Sequence, residues 1–271
     1  MKLFDSHTHT TNSHDGKISP EERVLCAIDE NLDGVFITDH ADFPNLNIEN
    51  AKKAVDDAKR LKEKYKDKIY VGAGLEVGGS MLFFEKTKQM LALTKNADTA
   101  LLSVHNVLFG NDNTLPPHGA ISSSADYEQS KTYLKYYIEN LLFLSKNADF
   151  DILCHLTYPL RYFIGKHGYD IDIWIYEREI KQIFENLIKK DICLELNLSA
   201  MFTDWQTYVP DEKFLLLYKS LGGKLICLST DSHTDQKVRP VMENAVSFLR
   251  SLGFKSYFYY KNHTPNEVKI L

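Results

Sequence analysis

The feature that most limits what this chain can fold into is a unit used again and again. A short run of Val, Ile, Leu and Phe ends on a polar residue and is followed by a longer segment with helical spacing. Seven such runs occupy residues 2–5, 34–38, 69–75, 99–104, 151–154, 192–196 and 224–230. Helical patterns fill residues 20–30, 48–65, 83–93, 127–144, 176–189 and 211–221. Near-continuous apolar runs alternating with helices read as parallel β/α units buried on both faces. The first helix start is plain in Ser19-Pro20-Glu21-Glu22, with an N-cap serine, proline at the first helical position and acids in the first turn. A final aromatic run, residues 257–260, is a candidate eighth strand.

The residues after these runs carry chemistry. In order they are the His7/His9 pair, His40, Glu76, His105, His155, Asn197 and the Asp231/His233 pair. Neighbouring members are roughly 30 to 50 residues apart, about one β/α unit. In a closed parallel barrel every strand ends on the same face, so side chains distant in sequence converge. Six of the chain's 10 histidines fall at these ends. A lone histidine after a strand is usually a hydrogen-bonded or surface residue, but six imidazoles with carboxylates around one cavity suit a metal cluster. His14, His118, His167 and His263 do not share the placement and read as exposed or supporting residues.

Length and charge bound the remaining choices. A chain of 271 residues, 44% hydrophobic and 25% charged, can bury a full core, and residues 1–271 are expected to form a single domain. A net charge of −5 gives no global footprint for nucleic acid, so a phosphate-bearing substrate needs local cations. Cys26, Cys154, Cys193 and Cys227 show no CxxC spacing and read as reduced thiols. No apolar leader or membrane-length segment is present in the sequence, so a cytoplasmic location without membrane attachment is expected.

Local spacing sharpens the metal reading. In His7-Thr8-His9 the side chains at i and i+2 of an extended segment point alike, so both imidazoles can reach one ion. Asp231-Ser232-His233 repeats that geometry with a carboxylate and an imidazole. Glu76 has the reach and the two oxygens to bridge ions. In Ser13-His14-Asp15-Gly16, Asp15 is a further candidate ligand, with an Asx-type turn as the competing role.

Taken together, Asp5-Ser6-His7-Thr8-His9-Thr10, Ser13-His14-Asp15-Gly16, Ile37-Thr38-Asp39-His40, Gly74-Leu75-Glu76, Ser103-Val104-His105, Cys154-His155-Leu156, Leu194-Glu195-Leu196-Asn197 and Ser229-Thr230-Asp231-Ser232-His233 resemble the polymerase and histidinol phosphatase (PHP) superfamily. Within it, the likeness is to stand-alone histidinol-phosphate phosphatases. The ordered set spans almost the whole chain and is specific, whereas any one piece is weak. The resemblance implies an α/β fold, a distorted (β/α)7 TIM-like barrel with a trinuclear site, and nitrogen and oxygen ligands alone leave Zn, Mn or Fe open for its two to three divalent ions. Carried over by position, His7, His9, Glu76 and Asp231 hold one ion, Glu76, His105 and His155 a second, and Asp15, His40 and His233 a third.

Clustered dications make hydroxide available at neutral pH and neutralise charge on phosphoryl oxygens, so the implied activity is hydrolysis of a small-molecule phosphate ester. The leading expectation is L-histidinol phosphate cleaved to L-histidinol and phosphate. Arg161, in the loop after His155 where the resembling phosphatases carry an arginine, is the expected phosphate-binding residue, against a surface ion-pair role. The chain departs from the pattern after Asn197, where Leu198-Ser199-Ala200-Met201-Phe202 offers no second arginine. Arg239 could substitute, although it reads more simply as a helix-start charge, and Trp205 reads as packing. The competing functions are a PHP phosphoesterase for phosphotyrosyl protein or a nucleotide monophosphate, and a non-catalytic metal-binding PHP module. A deaminase of the amidohydrolase type also begins with HxH, but its usual bridging lysine is Glu76 here. Oligomeric state is left open.

Overall fold

The computed structural model describes residues 1–42, 47–107 and 126–270. In chain order its strands are β1 (Phe4–Thr8), β2 (Gly34–Ile37), β3 (His40–Asp42), β4 (Tyr70–Gly78), β5 (Thr99–Ser103), β6 (Ile152–Leu153), β7 (Cys193–Asn197), β8 (Ile226–Ser229), β9 (Ser256–Lys261) and β10 (Thr264–Lys269). The principal helices are α1 (Pro20–Asp29), α2 (Ile48–Tyr65), α3 (Phe84–Leu91), α4 (Tyr127–Asn147), α5 (Glu177–Lys189), α6 (Glu212–Ser220) and α7 (Arg239–Ser251). Strands β1, β2, β4, β5, β6, β7 and β8 pair in that order, and every pair is parallel. Strand β3 pairs with β4 beyond β2, so β2 and β3 act as one interrupted strand and the barrel has seven.

Closure comes from the two chain segments that carry paired candidate ligands. The Asp231 amide donates to the His7 carbonyl at 2.9 Å and the His9 amide to the Ser232 carbonyl at 2.9 Å. Beside them Thr8 bridges to Ser232. This pairing carries β1 through Thr8, so His7 lies inside the strand rather than beyond a run ending at Asp5.

Residues 257–260, the candidate eighth strand, do not join the barrel. They lie in β9, which pairs antiparallel with β10 alone. With β1 already joined to β8 through residues 231 and 232, the barrel offers no free edge to accept another strand. The hairpin instead covers the opposite end. Tyr257 donates its hydroxyl to the Lys2 carbonyl, Tyr260 to the Asp191 carbonyl, and the His263 amide donates to the Asp98 carbonyl, all just before barrel strands begin.

The strands are buried on both faces, as parallel sheets between a packed interior and helices must be. Helix α5 shows the outer layer's logic: Ile180, Ile183, Phe184 and Leu187 recur at helical spacing and face the sheet. Gly34 is required by close approach, because a Cβ there would lie 2.4 Å from the Phe4 ring. Among the described residues, no helix is long and apolar enough to cross a membrane.

Candidate metal centre

At the C-terminal strand ends the structure brings together His7, His9, Asp15, His40, Glu76, His105, His155, Asp231 and His233. Glu76, on β4, lies at the middle and is fully buried. Its Oε2 is 3.4 Å from His7 Nε2 and 3.6 Å from His9 Nε2, and Asp231 Oδ1 is 3.1 Å from His9 Nε2. Its Oε1 is 2.8 Å from His155 Nε2 and 3.1 Å from His105 Nε2. A third group sits beside them, with His233 Nε2 3.3 Å from Asp15 Oδ2 and His40 Nε2 3.6 Å from Asp15 Oδ1. The facing imidazole pairs have Nε2 atoms 2.9 Å apart for His7 and His9, 3.3 Å for His105 and His155, and 3.4 Å for His40 and His233. Metal–ligand bonds of about 2.0–2.2 Å place neighbouring ligand atoms roughly 2.9–3.6 Å apart in tetrahedral or octahedral geometry. The observed spacings have that size.

Tautomers assigned from hydrogen-bond partners point the same way. His105 Nδ1 faces Asp42 Oδ1 at 3.0 Å, His233 Nδ1 the Asp231 carbonyl at 2.8 Å, and His7 Nδ1 Glu195 Oε1 at 2.7 Å. His9 Nδ1 is 3.1 Å from Ser13 Oγ, whose own proton goes to Asp39 Oδ1, so the serine accepts from the ring. In these four rings, with the outer nitrogens holding protons, the inner Nε2 lone pairs face neighbouring imidazoles and carboxylates. His40 turns Nδ1 to Glu76 Oε2 at 2.7 Å and Nε2 toward Asp15 and His233, while buried Asp15 Oδ1 accepts no hydrogen bond. Buried polar atoms without partners are rare, and lone pairs turned on lone pairs repel unless a cation lies between them. The residues therefore fit divalent ions.

The same charges show in the proton equilibria of the metal-free protein. Burial pushes His40 down, but the Asp42 and Glu76 carboxylates outweigh it and lift its pKa to about 9. Burial likewise opposes charging of His7 and His105, yet Glu76, with Glu195 and Asp231 at His7 and Asp42 at His105, holds both well above the ordinary imidazole value. His9 lies well below it, through burial and the neighbouring His40 and His233. Burial raises Glu76, but His105, His7 and His40 hold it well below the usual carboxylate range. The cluster demands positive charge, and dications would satisfy it without protons.

Two candidate ligands sit on left-handed backbone, His155 at φ +26° and Asp231 at φ +52°. Non-glycine residues held there collect at functional sites. Arg161 follows His155 in a helical turn, with its guanidinium 5.9 Å from the Tyr158 ring centre and Nη1 3.4 Å from Ser199 Oγ. Arg239 is committed elsewhere, to Glu243 and the Glu30 and Asn31 carbonyls. Trp205 packs on Gly165. His263 bonds Asp151 and the Thr94 carbonyl, His167 stacks on Tyr169, and His118 lies outside the described residues.

Sequence reasoning overlooked Asp42, Arg23 and the part played by Glu195. Asp42 was within reach of it, because His40-Ala41-Asp42 repeats the i, i+2 pattern of His7 and His9. Arg23 carried no local signal: it projects from α1, is buried, and donates to the His9 carbonyl and to Ser232 Oγ and carbonyl.

Comparison with known proteins agrees with this architecture. The chain is 27% identical over 258 residues to the histidinol-phosphatase of Lactococcus lactis, covering 94% of this chain and 93% of that one. It is 25% identical over 257 residues to a probable histidinol-phosphatase of Thermotoga maritima, covering 93% and 94%. The crystal structure of the Lactococcus lactis histidinol phosphate phosphatase, complexed with zinc, L-histidinol and phosphate, superposes with a TM-score of 0.77 at 23% identity, covering 98% of this chain and 99% of that one. The PHP domain model matches residues 5–199, most of the barrel and most of the candidate ligands, and the chain belongs to the PHP family.

Proposed function

We propose that this chain is a metal-dependent phosphomonoesterase that hydrolyses L-histidinol phosphate to L-histidinol and phosphate. The observation that carries the reading is the split of Glu76, one oxygen toward His7, His9 and His40 and the other toward His105 and His155. His7, His9, Glu76 and Asp231 would hold one divalent ion, Glu76, His105 and His155 a second, and Asp15, His40 and His233 a third. Ions bound there would supply positive charge beside the phosphoryl oxygens and acidify water so that hydroxide is available near neutral pH. Nitrogen and oxygen donors suit Zn, Mn or Fe, and the zinc in the related crystal structure favours the first.

The chain's own groups do the rest. Arg161 presents its planar fork of donors for phosphate oxygens, kept in place by Ser199 and by the Tyr158 and Tyr162 rings. Burial keeps the Tyr158 hydroxyl protonated, its pKa well above the ordinary phenol value, and its ring lies 4.6 Å from that of His155. Asp42 and the Asp231 carbonyl hold protons on His105 and His233 away from the reacting side. Residues 1–271 are read as one catalytic unit. The four free thiols accord with a reducing cytoplasm.

Phosphate release by zinc- and manganese-reconstituted protein tests the assignment, with L-histidinol phosphate, phosphotyrosine and nucleoside monophosphates as substrates. L-Histidinol phosphate should exceed the others in kcat/KM by orders of magnitude. Equal slow rates on all would sink the substrate, and release from none would favour a binding module. In the same assay Arg161→Ala should keep its metal content while kcat/KM falls roughly 10–100-fold, chiefly through KM, from one lost charge-assisted contact. Unchanged kinetics would remove Arg161 from the phosphate site.

A further inference from the structure

Glu195 is a fully buried carboxylate on β7 that lies behind the candidate ligands rather than among them. Four donors converge on it. Its Oε1 accepts from His7 Nδ1 at 2.7 Å and from the Ser229 hydroxyl. Its Oε2 accepts the His155 backbone amide at 2.5 Å and Asn197 Nδ2 at 3.1 Å. His7, Cys154 and Glu195 cluster closely enough to suggest a further ion. Burial, however, pushes the Cys154 thiol well above its ordinary pKa, and the His7–Glu195 separation is that of a hydrogen bond. That trio is a support, not a cation site.

We propose that Glu195 is a positioning residue that sets ligands of two ions at once, an inference that rests on the metal reading above. Its Oε1 keeps the His7 proton on Nδ1, which leaves the Nε2 lone pair facing Glu76 Oε2. Its Oε2 holds the His155 amide and so maintains the left-handed backbone that delivers His155 Nε2 to Glu76 Oε1. One carboxylate behind the cluster thus aligns ligands on both sides of the carboxylate within it. Partners that orient ligating histidines and raise their basicity are worth about 10–100-fold in metal affinity.

The chemistry of the pocket makes the role specific to a carboxylate. Glutamine has the same shape but brings one NH2 group. Placed at the Oε2 position, that group would face the His155 N–H and Asn197 Nδ2, donor against donor. Asn197 cannot simply turn its amide, because its Oδ1 already accepts the Ser199 amide and hydroxyl. Placed at the Oε1 position, it would be tolerated by the Ser229 hydroxyl, which can rotate to accept. His7 would then have to accept at Nδ1 and carry its proton on Nε2, which removes it as a ligand.

The test is zinc titration of metal-stripped full-length protein against a competing chelator, for the unsubstituted chain and Glu195→Gln. We expect the variant to bind its tighter zinc ions about 10–100-fold more weakly, with the far-ultraviolet circular dichroism of the metal-free protein retained. Equal zinc affinity in the two proteins would overturn the role of Glu195 while leaving the metal centre standing. Failure of the unsubstituted chain to bind zinc would overturn both. Should Glu195→Gln not fold, nitrogen-15 NMR of histidine in the zinc-loaded unsubstituted protein decides the matter. His7 should carry its proton on Nδ1 and zinc on Nε2, and a bare or zinc-bound Nδ1 would overturn the proposal.

Discussion

Asp15 and His14 are chain neighbours with opposite surroundings. The Asp15 carboxylate is 3.3 Å from His233 Nε2 and 3.6 Å from His40 Nε2, and despite burial those imidazoles hold its pKa well below the usual carboxylate range. The His14 side chain is 74% exposed, with Nε2 3.9 Å from Asp15. The chain turns through residues 11–15, and that loop presents only Asp15 of the two to the cluster. A carboxylate also reduces the charge of packed dications, which a neutral imidazole does not. Asp15→Ala should therefore empty the site shared with His40 and His233 and cut turnover severely, whereas His14→Ala should leave occupancy nearly unchanged. Anomalous scattering from crystals of the two variants checks this, and a vacant site in the His14 variant alone would reverse the assignment.

Helix α1 shows how an element away from the chemistry holds it in place. Its first turn is fixed by a capping box, in which the Glu22 amide donates to Ser19 Oγ and the Ser19 amide to Glu22 Oε2. One turn on, buried Arg23 reaches under both ligand-bearing segments at the barrel seam and donates to the His9 carbonyl and to Ser232. Its pKa is lowered by burial, against the charge of Asp5. Arg23→Met would fill similar volume but leave the His9 carbonyl without a donor, at about 1–3 kcal/mol, and cost the Ser232 carbonyl one of its two donors, at about 1 kcal/mol. The expected loss is about 3 kcal/mol, or roughly 6–12 °C in Tm, with weaker zinc binding as the seam loosens. Calorimetry of the metal-free and zinc-loaded variant measures both, and a Tm within a degree or two of the parent would show the clamp to be dispensable.

At the scale of the whole molecule, the cluster couples stability to pH in opposite ways with and without metal. In the metal-free protein His7, His40 and His105 have folded pKa values above the unfolded value, about 9 for His40 against 6.5. Their stabilisation is fully present below 6.5 and is lost as pH rises through the folded values, a matter of a few kcal/mol. His9, lowered by burial and by its cationic neighbours, is neutral in both states above 6.5 and adds nothing there. Metal ligation needs neutral imidazoles and strengthens over the same range. The Tm difference between zinc-loaded and chelator-treated protein should therefore widen from pH 6.5 toward 9, and a constant or shrinking difference would contradict this balance. The sequence by itself determined the alternation of buried strand and helix, because a parallel strand covered on both faces must be an apolar run. It also showed eight of the nine candidate ligands, because they stand where such runs stop, whereas Asp15 lies in the loop after His9. Only the tertiary structure decided which of them meet. Glu76 divides its oxygens between two groups of histidines, and Glu195 supports His7 from 188 residues away, contacts with no local signature. The fate of residues 257–260 was likewise decided by closure: their strand-forming side chains suit any sheet, and once residues 231 and 232 sealed β1 to β8 only the antiparallel partner β10 remained.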